Sequence, residues 1–221
     1  MFTDVEGSTR CWAADPEGMS ASLSVHDAAV RDAVDAWDGY VFATAGDGFG
    51  LAFSRPSDAV AAARRLQAEL SCTDWPGPSL RVRMGLHLGE AEERDGDYFG
   101  LAVNTAARVG AAAHGGQVLL TEAVRSVAGV AARDLGVHRL RDIEGPLRLY
   151  QMGDEEFPAL RVLDPWLSNL PLPATRLIGR EDDVTAVRRL LAEHRWVTVT
   201  AVGGCGKTRL AVAARVDAAR R

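Results

Sequence analysis

The sequence predicts an α+β domain followed by a linker and the start of a second, α/β unit. Three observations carry this. Short β-rich runs and amphipathic helical stripes are mixed through residue 152, residues 153–175 hold four prolines with little periodicity, and residues 176–221 run helix, strand, glycine turn, helix. A chain of 221 residues accommodates one domain of roughly 150 residues and a remainder too small for a second complete one.

The elements follow in order. "MFTDVEGST" reads as the end of a strand running into a Gly-Ser-Thr turn, with Asp4 at the junction and only Met1, Phe2 and Thr3 before it. Such a strand is short for a central position, which raises two expectations: the true start lies upstream, or Asp4 is held less firmly than its setting implies. Met19, Leu23, Val30, Val34 and Trp37 mark one face of a helix over 17–37. "YVFATAGDGFGLAF" (40–53) alternates around Gly46-Asp47-Gly48, a hairpin signal with the acid at its tip. A second helix spans 55–70, with Pro56 suited to its first turn, and 72–79 is a loop. "LRVRMGLHLG" (80–89) alternates as a strand and leads into the acidic loop "EAEERDGDYFG". An alanine-rich helix over 101–113 and strands at "GQVLLT" and "LRLYQM" complete the first domain.

Composition narrows the function classes. No apolar run approaches the roughly 20 residues of a membrane span, and a basic, apolar-cored leader is lacking. Cys11, Cys72 and Cys205 have no metal-ligand spacing, nor have the five histidines, so a reducing cytoplasm is expected. Residues 1–150 carry 21 acids against 14 arginines, so no basic stripe suited to direct nucleic-acid binding is present. Lys207 is the single lysine of the chain.

Asp4 and Asp47 lie 43 residues apart, each in a turn beside glycine where backbone approaches a polyanion closely. Two such carboxylates suit a pair of Mg²⁺ or Mn²⁺ ions; they equally suit turn and helix capping. Asn104 and Arg108 stand four residues apart on one helical face, where they suit phosphate or ribose oxygens, or simply solvent.

Taken in order, "FTDVEGST", "TAGDGF", "VRMGLHLGEAEERDGDYFG" and "VNTAARV" resemble the class III nucleotidyl cyclases over residues 1–152. In particular the chain is similar to the bacterial branch in which such a domain precedes a regulatory ATPase module of LuxR-type transcriptional regulators. The resemblance implies a ferredoxin-like core, a head-to-tail homodimer with shared active sites, and conversion of ATP to 3′,5′-cyclic AMP and pyrophosphate. It implies Asp4 and Asp47 as ligands of two metal ions, Asn104 as the ribose-orienting residue and Arg108 as the residue that stabilises transition-state charge. Asp97 falls where the family reads the adenine amino group, and Arg141 near a basic residue that contacts the triphosphate. Ala43 departs from the pattern, standing where adenylyl cyclases of this type carry a base-reading lysine.

In the second unit, "AVGGCGKT" (201–208) fits a phosphate-binding loop except for Ala201 at the first glycine. Gly203, Gly204 and Gly206 would cradle phosphate, Lys207 would reach the outer oxygens and Thr208 a magnesium ion. Only 13 residues follow Thr208, too few for a complete hydrolytic site. The expectation is therefore an ATP-using homodimeric cyclase; a catalytically weak regulatory protein that binds nucleotide or a partner stays open as the alternative, as does a fragment with no function of its own.

Overall fold

A computed structural model describes residues 1–162, 179–194, 196–202 and 204–216, in two units that divide after Leu163. The first unit comprises β1 (Phe2–Val5), α1 (Ser8–Ala14), α2 (Pro16–Asp35), β2 (Gly39–Ala45), β3 (Gly48–Phe53), α3 (Pro56–Cys72), β4 (Val82–Leu86), β5 (Glu92–Arg94), β6 (Asp97–Phe99), α4 (Leu101–Ala112), β7 (Val118–Thr121), α5 (Glu122–Ala128), β8 (Arg133–Arg139) and β9 (Pro146–Gln151). The second contributes α6 (Glu181–Glu193) and α7 (Lys207–Val216).

Seven strands form one mixed sheet in the order β2-β3-β1-β4-β7-β9-β8, and β5 and β6 form a separate hairpin. The expected α+β class is thus observed. Short as it is, β1 is a central strand paired on both sides: Thr3 stands opposite Phe49 of β3, and Asp4 opposite Arg83 of β4. Asp15 caps α2 by accepting the Gly18 amide at 2.9 Å, and Pro16 occupies its first turn. The helix buries Met19, His26, Val30 and Val34 against the sheet, much as the spacing of apolar residues predicts. Helix α3 adds Val60, Ala63, Leu66 and Leu70 to the same core.

The opposite face holds a smaller core in which Val109 and Ala112 of α4 meet Leu119, Leu140 and Leu149. Leu160 and Val162 join this second core, and the Arg161 amide donates to the Ala112 carbonyl at 2.9 Å. Residues 153–162, expected in the linker, therefore pack on the first unit; the rest of that segment lies outside the described residues. Five elements are absent from the sequence-based expectation: α1, α5, β8 and the strands β5 and β6, which form a hairpin within the acidic loop.

The strand expected at 195–202 is not formed among the described residues. A β-strand is made by its neighbours' hydrogen bonds, and the described part of this unit offers no second strand to pair with. Here α6 and α7 pack on each other, with the Arg188 Nε donating to the Ala214 carbonyl at 3.4 Å. Among the described residues no helix is long and apolar enough to cross a membrane.

Candidate active site

Strand alternation decides where Asp4 points. Thr3 and Val5 are buried toward the main core, leaving Phe2 and Asp4 for the face crossed by α4. The Arg83 guanidinium grips Asp4 as a fork, Nε at 2.8 Å and Nη2 at 2.5 Å from the same oxygen, Oδ2. Its third nitrogen, Nη1, donates to the Ala111 carbonyl at 3.2 Å, so one arginine ties the first acid to the end of α4. The other Asp4 oxygen lies toward Gly48, where a Cβ would come within 3.7 Å of Oδ1 and 3.1 Å of the Thr3 carbonyl.

Asp47 occupies the β2–β3 turn, made tight by Gly46 at φ +62°. The turn ends beside β1, since Thr3 pairs with Phe49 just beyond it. Asp47 Oδ2 is shielded from solvent and has no hydrogen-bond partner. A buried carboxylate oxygen without a donor is costly, and a cation is the ligand that relieves it. Among the described residues no group of three or more His, Cys, Asp or Glu could enclose a metal. Mg²⁺ or Mn²⁺ in phosphate chemistry is held by one or two protein carboxylates that share the ion with substrate oxygens.

Beside Asp4 opens a cavity of about 250 Å³ lined by Ala43, Gly48, Gly50, Arg83, Gly110 and Ala111 among others. Ala43 stands opposite Gly50, immediately after a bulge at Phe42. The Phe42 ring meets Phe2 edge-on at 5.8 Å and Tyr98 at 5.3 Å, and Tyr40 meets Tyr98 at 6.5 Å. These contacts press the β5–β6 hairpin against β2 and so bring Asp97, at the start of β6, close to the strand of Ala43. Asp97 Oδ1 accepts the Tyr98 amide at 2.7 Å.

Helix α4 carries Asn104, which is exposed, and Arg108, whose Nη2 donates to Asp142 Oδ2 at 2.6 Å. Arg141 Nε lies 3.6 Å from that same oxygen, so one carboxylate serves both cations. Asp142 sits in the β8–β9 turn at φ +59°, between Leu140 and Ile143, which anchor the turn in the second core. The helix reaches its position through a glycine contact: a Cβ on Gly85 of β4 would lie 2.0 Å from the Gly110 nitrogen. Neither Asn104 nor Arg108 lines the cavity beside Asp4.

Arg83, Asp142 and the Gly85–Gly110 contact escape a sequence reading. Alternation over 80–89 does place Arg83 on the face opposite the core, and Asp142 adjoins Arg141 in a Gly-Pro-containing turn. In the second unit Lys207 Nζ donates to the carbonyls of Ala201 at 2.9 Å and Val202 at 2.8 Å, and Gly204 and Gly206 take φ of +76° and +84°. Thr208 is exposed, and Gly203 lies outside the described residues.

A central strand and an adjoining hairpin that each present an acid, with an amide and a guanidinium one turn apart on the covering helix, define an α+β domain of the nucleotidyl cyclase type. Residues 1–145 match the adenylate and guanylate cyclase catalytic domain, and the chain belongs to that family. It is 35% identical over 198 residues to an uncharacterized protein of Mycobacterium tuberculosis, covering 84% of this chain and 67% of that one. It is 30% identical over 214 residues to the receptor-type adenylate cyclase GRESAG 4.3 of Trypanosoma brucei brucei, covering 73% of this chain but only 17% of the relative. Among solved structures, a Trypanosoma brucei adenylate cyclase described in its monomeric state superposes with a TM-score of 0.68 at 29% identity, covering 72% of this chain and 90% of that one. An adenylate/guanylate cyclase/hydrolase from Silicibacter pomeroyi gives 0.62 at 25% identity, covering 67% and 91%.

Proposed function

We propose that the first unit converts ATP to 3′,5′-cyclic AMP and pyrophosphate as a homodimer, in intracellular signalling. The observation that carries this reading is the unpartnered, buried Oδ2 of Asp47, in a turn whose next residue, Gly48, faces Asp4. When bound, Mg²⁺ or Mn²⁺, two per site, would polarise the ribose 3′-hydroxyl and the phosphates.

The chain's own residues do the rest. Asp4 and Asp47 would hold the cations; Arg83 fixes Asp4 through Oδ2 and neutralises part of its charge. As the likeness to the cyclase family implies, Asn104 and Arg108 act on the acids of a second copy. There Asn104 orients the ribose, while Arg108 and Arg141 take up charge developing on the phosphates. Asp97 accepts the adenine amino group and disfavours guanine, which presents a carbonyl oxygen instead. Ala43 offers no donor to the base. One missing charged hydrogen bond costs about 2 kcal/mol, so turnover is slow and base selectivity loose.

That same alanine favours a second reading, a nucleotide-binding regulatory domain with little catalysis, in which residues 201–208 form a further phosphate loop. Assaying purified protein with ATP and Mn²⁺ beside Ala43→Lys and Asp47→Ala separates the two. Cyclic AMP from the wild type that disappears in Asp47→Ala supports the enzyme. Activity only in Ala43→Lys supports the degenerate domain, and product from Asp47→Ala refutes the metal assignment.

A further inference from the structure

The turn between β1 and α1 directly follows Asp4, yet it has few restraints of its own. Helix α1 buries no residue and has no side-chain N-cap, and Gly7 at its start is left-handed at φ +74°. What fixes the turn is Glu6. Its amide donates to the Arg81 carbonyl at 2.9 Å, and its Oε2 accepts the Gly115 amide at 3.2 Å. Its Oε1 pairs with the Arg161 guanidinium, and His114 Nδ1 stands 4.0 Å away. Glu6 is thus anchored on both its backbone and its carboxyl group two residues from Asp4.

Arg161 comes from outside the region matched by the family, which ends at residue 145. Its own backbone is fixed independently of its charge: the amide donates to Ala112 at the end of α4, the Ala159 carbonyl lies 2.9 Å from His114 Nε2, and Leu160 and Val162 are packed in the second core. The side chain is therefore free to serve another purpose than holding the tail down. Through Ala112 the same residue also touches the helix that carries Asn104 and Arg108.

We infer that Arg161 is a positioning residue for the metal-binding strand end: it holds Glu6, and through the turn of Glu6 and Gly7 it sets the place of Asp4. This rests on the metal-dependent reading above. Arginine suits the task because its planar fork fixes direction as well as charge.

The test uses the full chain, wild type and the variants Arg161→Ala, Arg161→Lys and Glu6→Gln. Hydrogen–deuterium exchange follows the amides of residues 5–9, electron paramagnetic resonance titrates Mn²⁺, and cyclic AMP formation is measured separately. Arg161→Ala should speed exchange in the turn and weaken Mn²⁺ binding about five-fold, the scale of a half-exposed ion pair. Glu6→Gln should do the same, and Arg161→Lys should recover most of the loss while the melting temperature stays close to wild type. Unchanged exchange and unchanged Mn²⁺ affinity in Arg161→Ala overturn the inference even if the enzyme is active. If Arg161→Ala fails to fold, the same measurements on Glu6→Gln and Arg161→Lys take its place: wild-type exchange and Mn²⁺ affinity in Glu6→Gln overturn the inference equally. Absence of product with intact Mn²⁺ binding counts against the cyclase reading alone; absence of Mn²⁺ binding in the wild type refutes both.

Discussion

Substituting Gly85 by alanine probes how α4 is placed. The new Cβ would stand 2.0 Å from the Gly110 nitrogen, 2.5 Å from its Cα and 2.7 Å from the Ala106 carbonyl, where ordinary contact begins near 3.4 Å. All three are backbone atoms of one helix, so no rotamer change relieves the overlap. Helix and strand must separate by about 1.4 Å. Overpacking of this kind costs about 1–3 kcal/mol, which in a domain of this size lowers the melting temperature by about 2–12 °C. Catalysis suffers more than stability. A displacement of about 1 Å in a positioned group costs on the order of 100-fold in rate, and Asn104 and Arg108 move with the helix. Gly110→Ala is the control, because its Cβ would come no closer than 3.3 Å to Gly85 and the gain in helix propensity of about 1 kcal/mol offsets the crowding. Thermal melts and kcat for the two variants decide the matter: a Gly85→Ala protein as stable and as active as wild type refutes the idea that backbone contact sets the helix position.

Asp47→Asn should raise the melting temperature of metal-free protein, since an amide tolerates the buried position better than an unpartnered carboxylate, and should abolish the stabilisation that Mn²⁺ gives the wild type; scanning calorimetry with and without Mn²⁺ reads both. Asp142→Ala, which releases Arg108 and Arg141 for phosphate, should lower the KM for ATP several-fold at low salt, and an unaltered KM would show that the ion pairs do not compete with substrate. Hydrogen bonds from Ser126 and Tyr150, then Arg125, pull the Glu122 carboxyl down to about 2, so its contribution to stability is complete above the ordinary value of 4.5 and is lost as pH falls toward 2. Glu122→Gln should flatten that acid limb in melts recorded between those values. Burial lowers the pKa of His87, and the native state therefore resists a proton that the unfolded chain takes up; stability should decline as pH drops below about 6.5, and His87→Gln should reduce the slope.

Ordered motifs made the acids, the Asn-Arg pair and the hairpin legible, because each depends on residues close in sequence. The 3.6-residue stripe of α2 and the alternation of β4 were likewise visible. What escaped depends on distant partners. Strand β8 has Gly136 in its middle and exposed charges at its start, and it forms only because β9 offers a ladder. Arg83 and Asp142 find the acid and the arginine they serve across 79 and 34 residues. Proline content read the segment after 152 as linker, yet Leu160 and Val162 had an apolar groove waiting under α4. The strand expected before the glycine loop had the right residues but, among the described residues, no neighbour to bond.

The oxygen of Asp142 that faces both Arg108 and Arg141 makes ionic strength an unusual variable for this protein. Both partners are substantially exposed, so dissolved ions weaken the pair. Released guanidinium groups become available to a polyphosphate, while the same ions also mask the long-range pull between cation and phosphate. One influence favours occupancy and the other opposes it. Rate plotted against salt should therefore rise before it falls, and removing the Asp142 carboxylate should leave only the descending part.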